Sequence, residues 1–335
     1  MSALVGGRGS VAGVVLAAGR GRRLGALTDR LCKPLLPLLN RSLLSWTCDR
    51  LSTNGADVIA VTSCYLGQQV VEALVRIEAE LGVSLLSVAE PKLTGPIGGL
   101  AACRGVLPDR HCYLVANGDV YTSADLNVMV QDHIESDADL TVLTTEVWNP
   151  SLFGVLSTRG RWITGAVEKP LQVVAGALVN CGVYVLSARA LADVPDPSGN
   201  GQVDFVELLE RLLKRGRKIL AHKTPAYWSD IGSIDSLVAT NLHLLEPEIL
   251  SSLAERVPNT DVWVQGPPGE LPVDLRIKGR ILLGVGVRVE DGVSIESSII
   301  GTGARLCSGA RLREAVVMPE VRVGWSSDEG SGLVR

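Results

Sequence analysis

A glycine-rich loop that directly follows a short apolar run sets the strongest constraint on how this chain folds. Residues 11–18 are apolar, as is typical of a buried parallel strand entering a tight loop, and Gly19, Gly21 and Gly25 follow them. Glycine lets the backbone approach a ligand closely, and successive N–H groups in such a loop form an anion-binding concavity. Positive charge comes from nearby side chains: Arg20, Arg22, Arg23 and Lys33. The stretch therefore predicts a loop that binds a polyphosphate.

Two common nucleotide-binding motifs do not fit this loop. A dinucleotide fingerprint needs G-x-G-x-x-G and an acidic residue about 20 positions later. Here the third glycine, Gly25, comes late, and the next predicted strand, residues 58–62, ends without an acid. A P-loop needs G-x-x-x-x-G-K followed by Ser or Thr, and the chain has no such string. An ordinary surface turn rich in glycine and arginine remains the simpler alternative.

The spacing of the loop resembles the signature of the sugar-1-phosphate nucleotidyltransferases. The matching positions are Leu16, Ala17, Ala18, Gly19, Gly21, Arg23, Leu24, Leu27, Thr28, Lys33, Pro34, Leu35 and Pro37. Cys32 and Gly25 stand where the family usually has proline, and neither departure removes a charged group. The resemblance implies that residues 16–19, Gly21 and Arg22 contact the nucleotide, and that Arg23 and Lys33 are catalytic cations.

Predicted strands and helices alternate after this loop. Helical periodicity covers residues 42–54 and 68–81, and short apolar runs cover residues 58–62 and 83–88. Such alternation predicts an α/β fold with a Rossmann-like, mostly parallel sheet and helices on both faces. We expect residues 1–248 to form this catalytic domain. In such sheets, ligands bind at the carboxyl ends of the strands.

A second glycine-rich loop lies between the third predicted strand and the next helix. Residues 90–100 include Gly95, Gly98 and Gly99, which suit a backbone pressed against a flat ring. The resemblance implies that this loop contacts the nucleobase and ribose of the nucleotide. A plain glycine turn is the alternative that the residues leave open.

Two aspartates lie within two residues of a glycine near the ends of predicted strands. Asn117, Gly118 and Asp119 come directly after the apolar run 111–116, and Asp230 lies in the string Trp-Ser-Asp-Ile-Gly. The resemblance implies that Asp119 and Asp230 bind Mg²⁺, and that Asn117 and Gly118 contact the nucleotide. An aspartate that caps a turn or helix is the common alternative.

Three further motifs resemble the family's sugar-phosphate site. Gly154 lies in a Phe-Gly-Val string, and Glu168 and Lys169 lie in a Glu-Lys-Pro string. Asn180 and Gly182 follow in an Asn-Cys-Gly-Val-Tyr string. The resemblance implies that Lys169 is a catalytic cation for the sugar phosphate and that the other four residues contact the sugar. Alone, an exposed Glu-Lys pair is usually part of a solvated surface.

The sequence pattern changes after residue 267, where short units rich in β-branched residues and glycine replace the predicted helices. Apolar residues recur at steps of six, six and five, which gives a 17-residue period: Ile277, Leu283, Val289, Ile295, Ile300, Leu306, Leu312, Val317 and Val323. Such repetition predicts a short left-handed parallel β-helix over residues 271–325. We expect a linker at 249–270 and a loose tail at 326–335.

Taken together, the resemblance implies transfer of a nucleoside monophosphate from an NTP to a sugar 1-phosphate or cyclitol 1-phosphate, with Mg²⁺. GTP is the favoured donor and ATP the next, by analogy with relatives that carry a β-helix. A catalytically silent regulatory or scaffolding paralogue is the alternative. An acyltransferase acting through the β-helix is weaker, because such enzymes usually place a histidine in the coils and none follows His243.

Composition limits the classes of binding partner and the cellular compartment that we expect for the protein. A net charge of −4 without a basic block argues against nucleic acid as a partner. The apolar runs are too short to span a membrane. Seven scattered cysteines without a C-x-x-C pair favour reduced thiols and a cytoplasmic protein without zinc. Because a short β-helix leaves its ends open, we expect a homodimer or homotetramer.

Overall fold

The computed structural model describes residues 11–172, 176–196, 204–267, 271–324 and 330–335. The chain divides into two compact units. Unit 1 runs as far as Leu36 and resumes over Leu43–Asp230, whereas unit 2 comprises Pro37–Ser42 and Ile231–Arg335. The division therefore falls earlier in the chain than the expected boundary at residue 248.

The strands are β1 (Val11–Leu16), β2 (Pro37–Leu38), β3 (Arg41–Ser42), β4 (Ala56–Ser63), β5 (Ser84–Ala89), β6 (Cys112–Asn117), β7 (Val120–Thr122), β8 (Leu140–Val147), β9 (Gly154–Arg159), β10 (Trp162–Glu168), β11 (Ala177–Ser187), β12 (Ile219–Lys223), β13 (Trp228–Asp230), β14 (Glu255–Arg256), β15 (Val262–Val264), β16 (Arg276–Leu283), β17 (Arg288–Val289), β18 (Ser294–Ile300), β19 (Arg305–Leu306), β20 (Arg311–Val317), β21 (Arg322–Val323) and β22 (Gly330–Val334). The helices are α1 (Leu27–Arg30), α2 (Leu43–Thr53), α3 (Gly67–Leu81), α4 (Gly95–Cys103), α5 (Leu126–Glu135), α6 (Ala188–Asp193), α7 (Phe205–Lys214), α8 (Ile234–His243) and α9 (Pro247–Leu250). Short 3-10 turns cover Arg22–Leu24, Lys33–Leu35 and Pro150–Leu152.

Unit 1 is built on one large sheet with helices on both faces, as the sequence predicts. Along the sheet the strands follow the order β5-β4-β1-β6-β11-β8-β12-β10-β9. In β1, Val11 and Val15 pack into the core beneath α2, α3 and α5. Ala12 and Val14 face the opposite core, which includes residues of α4, α6 and α7. Burial on both faces explains why β1 reads as a continuous apolar run.

The sheet is mixed: seven of its nine strands run in one direction, whereas β10 and β11 run in the other, so the prediction of a mostly parallel sheet holds only in part. Strands β5, β4, β1 and β6 pair in parallel, whereas β11 pairs antiparallel with both β6 and β8. Strands β9 and β10 also pair antiparallel and are joined by a tight turn at Gly160. A turn this short allows only antiparallel pairing, since a parallel partner needs a crossover of a dozen residues or more.

Unit 2 contains a regular stack of strands whose period is about 17 residues. Strands β16, β18, β20 and β22 form a parallel sheet with β15 at one side, in which Ile277, Ile295 and Leu312 lie in register. Strands β17, β19 and β21 form a second parallel sheet. The predicted apolar residues of the repeat fill a common core.

Positive backbone φ angles mark where the chain turns between these strands. The turns fall at Gly286 (69°), Gly292 (73°) and Ser297 (40°), and again 17 residues later at Gly303 (71°), Gly309 (74°) and Glu314 (46°). Glycine tolerates this conformation without strain, which accounts for most of the glycines in the repeat. The turn spacing of six, five and six residues explains the predicted period.

Both flanks of the repeat differ from the expectation. The segment 249–270, expected as a linker, includes β14 and β15, and β15 pairs in parallel with β16. Residues 330–334 of the expected loose tail form β22, in which Val334 pairs with Val317. Local sequence does not favour a strand at Gly330–Val334, and the neighbouring strand β20 supplies the backbone partners that stabilise it.

A hairpin near the start of the chain belongs to unit 2. Strands β2 and β3 meet at Leu39 and Asn40, both with positive φ, and the amide of Asn241 binds the hairpin. Asn241 Oδ1 accepts a hydrogen bond from Leu39 N (2.9 Å), and its Nδ2 donates to Pro37 O (3.1 Å). Asn40 Nδ2 also donates to Ile300 O (3.0 Å). These bonds explain why residues 37–42 group with the second half of the chain.

Candidate active site

The glycine-rich loop after β1 folds over Lys33. A Cβ on Gly21, whose φ is +69°, would lie 3.1 Å from side-chain atoms of both Lys33 and Thr28. The Thr28 hydroxyl donates a hydrogen bond to Gly21 O (3.1 Å). A glycine at position 21 is therefore required both by the backbone angle and by the close approach of these side chains.

A cavity of about 500 Å³ lies in unit 1 at the carboxyl ends of β1 and β5. The residues that line it are Leu16, Ala18, Gly19, Arg20, Gly21, Arg22, Thr62, Glu90, Leu93, Gly95, Pro96, Gly99, Asn117 and Asp119. Most of the predicted nucleotide contacts are in this set. Ala17, Gly98 and Gly118 are not among the described residues of its wall. Gly118 instead packs on the loop, because its N–H donates to Leu16 O (2.9 Å) and a Cβ there would lie 3.1 Å from Ala17.

A second cavity of about 380 Å³ borders the first. All of the predicted sugar-phosphate residues line this second cavity. The residues that line it are Arg23, Pro96, Asn117, Asp119, Val120, Leu152, Phe153, Gly154, Glu168, Lys169, Asn180, Cys181, Gly182, Tyr184, Asp204, Phe205, Trp228 and Asp230. Pro96, Asn117 and Asp119 line both cavities. The two predicted half-sites therefore meet at the end of β6.

The two predicted metal ligands are brought to this junction by strand pairing. Asp119 lies two residues after the end of β6, and Asp230 ends β13, where it pairs in register with Val120 of β7. Burial and the nearby charge of Asp119 raise the pKa of Asp230 above its ordinary value. Lys33 and Arg23 act in the opposite direction. The arrangement holds two carboxylates close together with cations beside them.

Lys33 is not among the described residues that line either cavity, and it pairs with Asp119, which lines both. Its Nζ lies 2.6 Å from Asp119 Oδ2, and the lysine is buried. Arg23 Nη2 lies 3.9 Å from Asp230 Oδ2, so this arginine, predicted as a catalytic cation, lies beside the second aspartate. Arg22 lines the first cavity. Each predicted metal ligand thus has a cationic neighbour.

The predicted sugar-phosphate residues lie on three adjoining strands. Glu168 pairs in register with Gly154, and a Cβ on Gly154 would lie 3.0 Å from Glu168 Oε2. Lys169 Nζ lies 3.0 Å from Glu168 Oε1. Asn180 Nδ2 donates to the Tyr184 hydroxyl (2.8 Å). These contacts hold the polar side chains of one wall of the second cavity in place.

Gly182 allows the two cavities to meet. Its φ is +72°, and a Cβ there would lie 2.6 Å from Asn117 Nδ2. Asn180 Oδ1 accepts a hydrogen bond from Gly182 N–H (2.9 Å), which fixes the irregular part of β11. Any larger residue at 182 would displace Asn117 from the junction.

Comparison with known proteins decides the family. The family model for nucleotidyl transferases matches residues 12–247. The chain belongs to the nucleotidyl transferase family. This match confirms the family predicted from the loop motifs, and the chain is accordingly a nucleotidyltransferase.

No helix in the described part of the chain is long and apolar enough to cross a membrane.

Relatives of this nucleotidyltransferase cover nearly the whole chain. The glucose-1-phosphate adenylyltransferases of Bacillus mycoides and Bacillus cereus are 26% identical over 338 aligned residues, which cover 93% of this chain and 88% of theirs. Among solved structures, a Bacillus anthracis protein described as a candidate glucose-1-phosphate thymidylyltransferase, in complex with a sucrose, is 24% identical with a TM-score of 0.63. That match covers 69% of this chain and 94% of the other. HddC from Yersinia pseudotuberculosis is 23% identical with a TM-score of 0.58, over 69% of this chain and 97% of that one.

The donor set fits the divalent metal that nucleotidyltransferases generally use. Among the described residues there is no group of three or more His, Cys, Asp or Glu side chains that could hold a metal. Mg²⁺, however, is commonly bound by one or two carboxylates together with substrate phosphates. Asp230 Oδ1 is buried and has no hydrogen-bond partner among the described residues. Such an atom suits a cation that arrives with its substrate.

Two residues of this nucleotidyltransferase site escaped prediction from sequence. Glu90 and Thr62 both line the first cavity. The Thr62 hydroxyl accepts a hydrogen bond from Ala17 N (3.0 Å) and so ties β4 to the loop. Glu90 begins the second glycine-rich loop, and a carboxylate just past a strand end is a signal that would have identified it.

Proposed function

We propose that this nucleotidyltransferase transfers a nucleoside monophosphate from an NTP to a sugar 1-phosphate or a cyclitol 1-phosphate. The products are a nucleoside diphosphate sugar and pyrophosphate. GTP is the favoured donor and ATP the next. The observation that carries the proposal is the pair of cavities that share Asn117 and Asp119. One cavity offers glycine-loop N–H groups and arginines to a nucleotide, and the other offers Lys169 and polar side chains to a sugar phosphate.

The reaction needs positioning and charge neutralisation more than a protein nucleophile. An oxygen of the sugar phosphate attacks the α-phosphorus in line, and pyrophosphate leaves from the opposite side. Since the attacking phosphate is already ionised, the protein has no proton to remove. Holding the two phosphates in line supplies proximity, and cations offset the charge that develops between them.

The side chains divide this work between them. Arg22 and the loop N–H groups bind the triphosphate, and Arg23 stabilises the departing charge beside Asp230. Lys169 orients the attacking phosphate, while Glu168 and Asn180 bind sugar hydroxyls. Asp119 and Asp230 would hold Mg²⁺, which supplies Lewis-acid stabilisation of the phosphate charge when bound. Lys33 holds Asp119 in position.

A catalytically silent paralogue is the second candidate, and the retained acidic and basic side chains argue against it. Such a protein is expected to have lost a metal aspartate or a phosphate-binding cation. This chain retains Asp119 and Asp230, with Lys33 and Arg23 beside them. The retained set favours an active enzyme.

The test is pyrophosphate release with each of the four common NTPs against a panel of sugar 1-phosphates and cyclitol 1-phosphates, with Mg²⁺. We expect release that requires both substrates and stops on addition of EDTA. Absence of release with every pair, in protein that is folded by circular dichroism, would contradict the proposed function.

We further propose that the repeat of unit 2 is a left-handed parallel β-helix that supports self-association of a cytoplasmic protein. In the described part of the chain, β22 pairs along one edge only, with β20. An unpaired strand edge is a template for another chain. We therefore expect a homodimer or homotetramer, the closed assemblies that are commonest. Light scattering on the full-length protein tests this, and a monomer at micromolar concentration would contradict it.

A further inference from the structure

The indole of Trp228 links two strands of unit 1 that are far apart in the chain. Trp228 begins β13, the strand that ends in Asp230, and its half-buried ring packs against the core of unit 1. Its Nε1–H donates a hydrogen bond to Cys181 O (2.8 Å) in β11, 47 positions earlier in the chain. Trp228 and Cys181 both line the second cavity. The hydrogen bond therefore lies at the wall of the proposed sugar-phosphate half-site.

The carbonyl that accepts this bond belongs to an irregular part of β11. The register between β11 and β8 shifts between Asn180 and Tyr184. Among the described strands, neither Cys181 nor Gly182 pairs in register with a neighbouring residue. Cys181 is fully buried, and a buried backbone carbonyl needs a donor that this stretch of the sheet does not supply. The indole N–H supplies it.

The irregular part of β11 also sets the position of two polar side chains. Asn180 Oδ1 accepts a hydrogen bond from Gly182 N–H (2.9 Å). Gly182 in turn approaches Asn117 so closely that a Cβ on the glycine would lie 2.6 Å from Asn117 Nδ2. Irregular strand segments beside active sites commonly re-aim side chains in this way. A shift of the Cys181 backbone would therefore displace both asparagines from the cavity wall.

The strand that carries the indole is fixed by other contacts. Trp228 pairs in register with Thr122 of β7. The carbonyl of the preceding residue, Tyr227, accepts hydrogen bonds from the Thr122 hydroxyl (3.0 Å) and from Ser123 N–H (2.9 Å). The Phe153 ring meets the indole edge to face, with the ring centroids 5.1 Å apart. The donor is thus held from two sides, and the hydrogen bond positions the irregular strand that accepts it.

We propose that Trp228 is a positioning residue whose indole N–H holds the irregular part of β11, and with it Asn180, in the geometry that binds the sugar phosphate. This inference rests on the proposed function and deepens it. Trp228 is not among the described residues that line the first cavity. Loss of the N–H should therefore weaken use of the sugar phosphate and spare use of the NTP.

Two replacements at position 228 separate the N–H from the bulk of the ring. Trp228→Phe removes the donor and part of the ring, whereas benzothienylalanine at this position keeps the bicyclic shape and replaces N–H by sulfur. In both variants we expect KM for the sugar phosphate to rise by roughly tenfold, because a buried carbonyl loses its donor. We expect kcat and KM for the NTP to stay within roughly twofold of the wild type.

Trp162→Phe is the matched control. Trp162 is 39% exposed and lies at the opposite end of β10 from Glu168. This substitution should change none of the kinetic constants.

Hydrogen exchange reports on the same bond without any need for catalysis. In both variants at position 228, a peptide covering residues 178–185 should exchange its amide hydrogens roughly tenfold faster, because the bond no longer opposes local opening of β11. A peptide covering β1 should keep its wild-type rate.

The outcomes separate this inference from the proposed function. Wild-type KM and wild-type exchange in the benzothienylalanine variant would overturn the inference, because the bulk of the ring would then matter and its N–H would not. Equal rises in KM for both substrates would also overturn it. In either case pyrophosphate release would still support the proposed function. If no substrate pair releases pyrophosphate, the proposed function fails, and the exchange rate of residues 178–185 alone decides whether Trp228 positions β11.

Discussion

The ammonium group of Lys33 lies 2.6 Å from Asp119 Oδ2, and 7% of the lysine side chain is exposed. Asp119 in turn contributes to the raised pKa of Asp230. Lys33, together with Arg23 and Lys169, therefore offsets part of the repulsion between the two carboxylates of the proposed metal site. Lys33 acts through Asp119, which makes it a positioning residue in this structure.

Replacing Lys33 by Met should impair turnover more than substrate binding. Removing one partner from a buried ion pair is costly, and Asp119 is about one-third exposed, so the effect is at the lower end of the usual range. We expect kcat to fall by roughly 100-fold with little change in KM for the sugar phosphate. Steady-state kinetics checks this, with Lys33→Arg as a partial rescue. A Lys33→Met variant with normal kcat would show that the pair is dispensable.

Asp119→Asn and Asp230→Asn should each remove activity while leaving the fold intact. A carboxylate that holds a catalytic metal stabilises the transition state by several kcal/mol, so we expect a loss of roughly 1,000-fold or more in kcat/KM. Asp125→Asn is the matched control. The Asp125 side chain caps α5 by accepting from Asn127 N and Val128 N, and asparagine caps helices equally well. Turnover near the wild-type rate in either metal-site variant would contradict the assignment of both aspartates as ligands.

Arg22→Ala and Lys169→Ala should affect different substrates. Arg22 lines the first cavity and Lys169 lines the second. We expect Arg22→Ala to raise KM for the NTP and Lys169→Ala to raise KM for the sugar phosphate, each by roughly tenfold, since each removes one charge-assisted contact. Initial rates with each substrate varied in turn would show the division. Equal changes in both KM values for both variants would mean that the two cavities are not separate half-sites.

His133 should make folding stability depend on pH. The residue is 3% exposed, its Nδ1 lies 2.8 Å from Thr141 Oγ1, and burial lowers its pKa from 6.5 to about 4. Between these pH values the His133 imidazole is protonated in the unfolded chain but stays neutral in the folded chain. Stability is therefore complete above pH 6.5 and declines as the pH falls toward 4, by about 3 kcal/mol in total.

Denaturant unfolding from pH 7 to pH 4.5 measures this loss. His133→Gln should flatten the decline, whereas His111→Gln, which changes an exposed histidine, should keep most of it. An identical decline in the His133→Gln variant would place the pH dependence in other groups.

The residues proposed to act together could be matched to the family's motifs where they are close in sequence. The loop around Gly21, the string that ends in Asp119 and the Glu-Lys pair at 168–169 each lie in one short segment, so the resemblance to the family assigned their proposed chemistry. The hydrogen bond from Trp228 to Cys181 O joins residues 47 positions apart and is visible only in three dimensions.

Long-range pairing explains the larger errors. The hairpin at residues 37–42 is bound by Asn241, which is 202 positions away from Leu39, and no local signal reports that bond. Strand β22 likewise depends on β20 for its backbone partners. The antiparallel placement of β11 between β6 and β8 follows from chain connections that apolar patterning does not encode.

The fate of the α-phosphorus tests the central claim most directly. An NTP radiolabelled at the α-phosphorus is incubated with a sugar 1-phosphate and Mg²⁺, and the products are separated and counted beside a parallel reaction labelled at the γ-phosphorus. Nucleotidyl transfer predicts that the α-label appears in the nucleoside diphosphate sugar and the γ-label in pyrophosphate. Recovery of the γ-label in the sugar product, or of the α-label only in free nucleotide, would contradict the account.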